Sequence, residues 1–217
     1  MNPINIVARD LPDAWFQCLY NILDHGRIYT IDRGSFEGQQ RIEFDYITIH
    51  IKHPGTRPLL PDIPSHLGLP APVADDYLDN YMPYLMTSVE HPTEIYTYGS
   101  FLEKQITEVI RMFKEDGHET NQACMTVGDA NSIFLSDPPC MKIIDCRILD
   151  DALHFIVYFR SWCNFNGLPA NLAAIQLLKE YMAAEIGVKD GEIIASSKGL
   201  HLYDYAWPLA KLRTMRG

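Results

Sequence analysis

The chain has 217 residues, of which 47% are hydrophobic and 11% aromatic, and carries a formal net charge of −10. That length suits one substantial domain with a real core, spanning residues 1–217. The acidic balance excludes a general binder of nucleic acid or of anionic membrane, so any phosphate must be met by a few local cations.

No apolar run approaches the roughly 20 residues that a membrane span needs. The start, MNPINIVARDLPDAW, lacks a basic leader followed by an apolar stretch, so no signal peptide is expected. The five cysteines, 18, 124, 140, 146 and 163, form neither a CxxC pair nor a tight group with histidine. This argues against a disulfide framework or a metal site and for a reducing, cytoplasmic setting.

Trp15, Leu19, Ile22 and Leu23 recur at helical spacing in 11–25, and Gly26 follows as a stop. Alternation over 42–51 predicts one strand, turned at His53-Pro54-Gly55. The proline-rich stretch 54–75 reads as a surface loop, followed by a short helix over 76–86. Leu102, Ile106, Val109, Ile110 and Phe113 share one face of a helix over 99–116, ended by Gly117. Strands are expected near 122–127, 141–148 and 153–159, with a tight connection in 145–151. A helix over 170–186 turns Leu172, Ile175, Leu178, Tyr181, Met182 and Ile186 inward and stops at Gly187. A strand over 192–202 and a helix over 204–215 complete the chain. There is no internal repeat. Mixed strands and helices without strict alternation predict an α+β fold, a mixed sheet backed by helices.

The chemistry-bearing residues concentrate in 137–205. Cys140 follows Pro138 and Pro139, whose fixed φ puts it on a stiff turn entering a strand, as a nucleophile requires. The same pattern also fits a small buried hydrophobe. Arg160 ends the apolar run ALHFIVYF, where a cation is costly unless paired. A substrate phosphate, with Ser161 as an added donor, or a structural carboxylate would each pair it, and its charge would favour a Cys140 thiolate. Asn171, read at the start of a helix, is either a cap or a reader of uracil, whose O4 and N3–H it can pair. His201 and Tyr203 fall on one face of a strand, able to hold a sugar hydroxyl or to form an ordinary polar surface.

In order, Pro-Pro-Cys140, Arg160-Ser161, Gly167-Leu-Pro-Ala-Asn171 and His201-Leu-Tyr203 resemble the thymidylate synthase family over about seventy residues. YFRSW, SSKGLHLYDY and the short length resemble its archaeal branch; DRGSFEG and YTYGSFLEKQI extend the likeness more weakly. The resemblance implies the thymidylate synthase fold, with the sheets of a homodimer packed back to back. It implies conversion of dUMP to dTMP: Cys140 adds to C6, and C5 takes a one-carbon unit from a methylene-carrying reduced pterin. The carrier would be 5,10-methylene-tetrahydrofolate or an archaeal analogue such as methylene-tetrahydromethanopterin. Arg160, Ser161 and Arg33 would hold the 5′-phosphate, Asn171 would select uracil, and His201 and Tyr203 would hold the 3′-hydroxyl.

Three departures stand out. Cys163 occupies the place of an aspartate that contacts the pterin. Asn121-Gln122 stand where the family has paired arginines, and the chain ends LRTMRG in place of an apolar tail. A site that admits water would release a hydroxymethyl product. The alternatives are therefore a pyrimidine nucleotide 5-hydroxymethylase acting on dUMP, dCMP or CMP, and a non-catalytic nucleotide-binding relative. A cysteine hydrolase pairing Cys140 with His154 or His201 lacks any signal that brings a base to the thiol.

Overall fold

The computed structural model describes residues 1–34, 36–64, 66, 68–74, 76–89 and 96–216. Ser35 within DRGSFEG and residues 65, 67 and 75 of the proline-rich stretch lie outside the described residues. The elements run β1 (Pro3–Ala8), α1 (Leu11–His25), β2 (Arg27–Thr30), β3 (Gln40–Glu43), β4 (Tyr46–Ile51), α2 (Tyr77–Met86) and α3 (Gly99–Arg111). They continue with β5 (Cys124–Thr126), β6 (Met141–Leu149), β7 (Ala152–Phe159), β8 (Trp162–Cys163), α4 (Gly167–Ile186), β9 (Lys189–Ser197), β10 (Leu200–Tyr203) and α5 (Trp207–Arg213).

Among the described residues, ten strands form two sheets. The six-stranded sheet has the order β1-β4-β9-β7-β6-β5 and the four-stranded sheet the order β2-β3-β10-β8. Both are mixed: β1 runs parallel to β4 and β7 to β9, whereas β4–β9, β6–β7 and β5–β6 are antiparallel. The α+β class follows. Three chain segments leave one sheet and enter the other, at Phe44-Asp45, Arg160-Ser161 and Lys198-Gly199. The single strands expected over 42–51 and 192–202 are each broken there. The breaks are stitched by Phe44 N–H to Leu200 O at 3.0 Å and Trp162 N–H to Gly199 O at 2.9 Å. Gly199 suits this close crossing: a Cβ there would stand 3.0 Å from the Arg160 carbonyl oxygen, tighter than ordinary contact.

One continuous apolar cluster runs between the six-stranded sheet and the helices. α1 begins at Asp10, whose carboxylate accepts from Asp13 N–H at 2.9 Å. Its Trp15, Leu19 and Ile22 are buried as the spacing requires, while Leu23 is half-buried. In α3, Leu102, Ile106 and Val109 are buried, and the helix widens over Met112–Asp116 before Gly117 takes φ 102°.

α4 starts at Gly167, three residues before the sequence reading placed it, so Asn171 lies inside the helix and caps nothing. Leu172, Ile175, Leu178 and Met182 are buried, but Tyr181 is 44% exposed, against expectation. The helix is apolar almost all round, so its pattern does not mark the outward face. The last expected helix is shorter: a 3₁₀ turn, Asp204–Ala206, precedes α5. β1 and β2 were not expected: both are short, and β2 is largely exposed. Arg57 ties the proline-rich loop to α4 through a two-pronged pair with Glu180, 2.6 and 2.7 Å. Among the described residues no helix is long and apolar enough to cross a membrane.

Candidate active site

The strand crossings open a cavity of about 560 Å³. Its walls include Arg33, Arg41, Asp137, Cys140, Arg160, Ser161, Cys163, Asn166, His201 and Tyr203. Seven of the eight residues singled out from sequence therefore share one hollow. The eighth, Asn171, is not among its lining residues. It sits directly behind the Cys163 wall: a Cβ on Gly167 would be 3.2 Å from Cys163 Cβ and 3.9 Å from Asn171 Oδ1.

Cys140 stands at the end of the Pro-Pro turn, one residue before β6. Arg160, at the end of β7, holds this turn. Its guanidinium donates from Nη2 to the Pro138 carbonyl and from Nε to the Pro139 carbonyl at 3.3 Å. Its backbone N–H donates to the Cys140 carbonyl at 2.8 Å. Nη2 also meets Asp137 Oδ1 at 3.2 Å, but Asp137 is itself 64% exposed, so the guanidinium is only partly neutralised. Burial raises the Cys140 thiol above its ordinary value. Arg160 and Lys142 pull it down, and Asp137 adds to the rise. Burial wins, so the resting group is a thiol. The guanidinium expected to favour the thiolate acts in that direction without prevailing.

His201 is 2% exposed, and burial depresses its imidazolium to about 4. Its ring is therefore neutral at ordinary pH. Nδ1 lies 2.8 Å from the Gly199 carbonyl, which only accepts, so Nδ1 carries the proton. Nε2 is left as a buried lone pair with no partner among the described residues. Tyr203 packs edge-on against His201 at 4.6 Å, and burial lifts its phenol to about 12, so it remains a neutral hydroxyl. The Cys163 thiol faces Asn166 Oδ1 at 2.9 Å.

A second recess of about 410 Å³ is lined by Tyr77, Asn80, Tyr81, Tyr84 and Tyr98. Tyr77 stacks on Tyr81 and Tyr81 on Tyr84, each pair at 5.5 Å, and Tyr84 meets Tyr98 edge-on at 5.2 Å. Burial raises the Tyr98 phenol well above its ordinary value, and the neighbouring Cys140 adds to the rise. The Tyr98 oxygen accepts from the Met141 N–H at 3.3 Å, beside Cys140. This wall was missed in the sequence, although tyrosines at 77, 81 and 84 carry the spacing of one helix face. Arg41 and Asn166 were missed too, and nothing in their local sequence marks them. Asn171 meets the wall of the second recess, donating from Nδ2 to Tyr81 Oη at 2.6 Å, and accepts from Trp162 Nε1 at 2.8 Å.

The comparisons with known proteins agree with this geometry. The family model for thymidylate synthase matches residues 89–216. A Methanosarcina mazei protein named "Putative thymidylate synthase" is 30% identical over 95% of this chain and 92% of its own length. A Methanococcoides burtonii protein of the same name is 30% identical over 93% of this chain and 90% of its own. The thymidylate synthase of Buchnera aphidicola is 31% identical over 52% of this chain and 42% of its own. The chain belongs to the thymidylate synthase family.

Proposed function

We propose that the whole chain acts as one catalytic domain that methylates dUMP to dTMP with a methylene-carrying reduced pterin. The observation that carries this is the meeting of Cys140, a half-free arginine and a neutral histidine with an unpartnered Nε2 lone pair in one hollow of nucleotide size.

In this reading the phosphate is met by Arg160, with Ser161 and Arg33, and draws the guanidinium from Asp137. The His201 Nε2 lone pair accepts from the 3′-hydroxyl, beside Tyr203. Cys140 loses its proton as the sulfur bonds to C6 of uracil, which places carbanion character on C5. C5 then bonds to the one-carbon unit. As the C5 proton is lost, the bond from the one-carbon unit to the pterin nitrogen breaks. The reduced pterin then gives a hydride to the methylene and leaves as the dihydropterin, while the C6–sulfur bond breaks to restore the ring and the Cys140 thiolate. The tyrosine-lined recess beside Cys140 fits a flat, aromatic co-substrate, either tetrahydrofolate or tetrahydromethanopterin.

A homodimer is also part of the proposal. The face of the six-stranded sheet turned from the core carries Tyr46, Thr48, Ile143, Ile156, Tyr158 and Ile194, all half-buried or exposed. Set among His50, Asp145 and Ser196 on the same face, they make a partly apolar surface suited to a second copy.

The test is incubation with dUMP and each methylene carrier, followed by mass analysis. The expected product is dTMP, and 5-fluoro-dUMP is expected to trap a covalent complex through Cys140. Production of 5-hydroxymethyl-dUMP alone would favour the hydroxymethylase reading, which the thiol of Cys163 in the cavity wall supports. No trapped complex with either carrier would favour a binding protein.

A further inference from the structure

Asparagine alone does not distinguish uracil from cytosine. Its amide has two N–H donors and two acceptor lone pairs. Turned one way, it pairs with O4 and N3–H of uracil; turned over, it pairs with N3 and the amino group of cytosine. Selection needs something that forbids the turn.

Trp162 supplies it. An indole N–H only donates, so the 2.8 Å contact from Trp162 Nε1 must end on an oxygen, and it ends on Asn171 Oδ1. The opposite end, Nδ2, then reaches Tyr81 Oη at 2.6 Å. Turning the amide would press two donors together at a residue only 2% exposed. Trp162 cannot retreat: it stacks flat on Phe159 at 4.1 Å with 6° between planes, and β8 pairs it with Leu200. Tyr81 differs, because a phenol hydroxyl accepts or donates and would adapt to either orientation. Among the described residues, one N–H and one lone pair of the amide are left for the base.

We propose that Trp162 is the specificity-determining positioning residue for the base. It locks the Asn171 amide in the orientation that reads uracil, whereas Tyr81 strengthens the contact without choosing. This rests on the reading of Asn171 as the base reader.

The test is the ratio of dUMP to dCMP dissociation constants, by calorimetry, in the full chain. Trp162→Phe is expected to shrink the wild-type preference by about tenfold, the worth of one oriented hydrogen bond. Tyr81→Phe is expected to weaken both nucleotides similarly and leave the ratio unchanged. Should Trp162→Phe not fold, benzothienylalanine at position 162 keeps the ring volume and removes only the N–H; the same tenfold loss is expected.

A wild-type preference for dUMP that survives loss of the indole N–H overturns the inference alone. So does a Tyr81→Phe variant that loses the preference. A wild type that binds neither nucleotide, or both equally, overturns the base-reading assignment and this inference with it.

Discussion

Arg160 and Asp137 meet at 3.2 Å across the mouth of the cavity, and the carboxylate is the more exposed of the two. The pair holds a guanidinium where an incoming anion can compete for it. Asp137 also works against ionisation of Cys140, whereas Arg160 assists it. Asp137→Asn is therefore expected to speed alkylation of Cys140 by iodoacetamide several-fold at neutral pH. Arg160→Gln should slow it, because the raised thiol loses its main counter-charge and thiolate forms only at higher pH. Rates measured from pH 6 to 10 check both; identical profiles would contradict this account of the thiol.

Replacing the sulfur separates binding from chemistry. Cys140→Ser is expected to abolish dTMP formation while dUMP binding stays within about threefold of wild type, since the phosphate and sugar contacts remain. Turnover at the wild-type rate would remove Cys140 from the mechanism.

His201 links folding to pH. Its folded value of about 4 lies below the ordinary 6.5, so between these values the unfolded chain takes up a proton that the folded chain refuses. Stability from this group is full above pH 6.5 and falls as pH drops toward 4, by up to about 3 kcal/mol. His201→Asn should flatten that part of the stability profile. Urea unfolding at pH 7.5, 6, 5 and 4.5 in both proteins reads the difference.

Gly199 sets the crossing of the sheets. Gly199→Ala places a methyl 3.0 Å from the Arg160 carbonyl, so the backbone must shift. A loss of about 1–3 kcal/mol in stability is expected, with weaker nucleotide binding because Arg160 and Ser161 move. Thermal unfolding and dUMP titration test it.

Much of this was readable from residue order. Periodicity located α1 and α3, because each buries one regular face, and the apolar run over 153–159 located β7, which in fact buries only alternate residues. It failed for α4, where Tyr181 faces solvent on a helix whose composition is apolar throughout. It also merged β3 with β4, because the apolar alternation continues across Phe44, and β9 was read through Gly199 into β10; only hydrogen bonding shows the change of sheet. The motif residues around Cys140 were legible because each lies near a strand or helix end with its own local signature. The tyrosines on α2 did carry a helix-face spacing that was overlooked, whereas the contribution of Arg41 comes from tertiary packing, which no local pattern encodes.

The crossing of strands between sheets has a consequence for assembly. Arg33, Cys140, Arg160 and Tyr203 reach the same hollow from remote stretches of polypeptide. Most of the wall comes from residues 133–205, but Arg33 and Arg41 come from the first 41 residues, so the hollow closes only when the early loop docks on the late strands. A molecule seated there would clasp the early and late portions of the chain together, so occupancy should retard unfolding of the entire protein and not of one region.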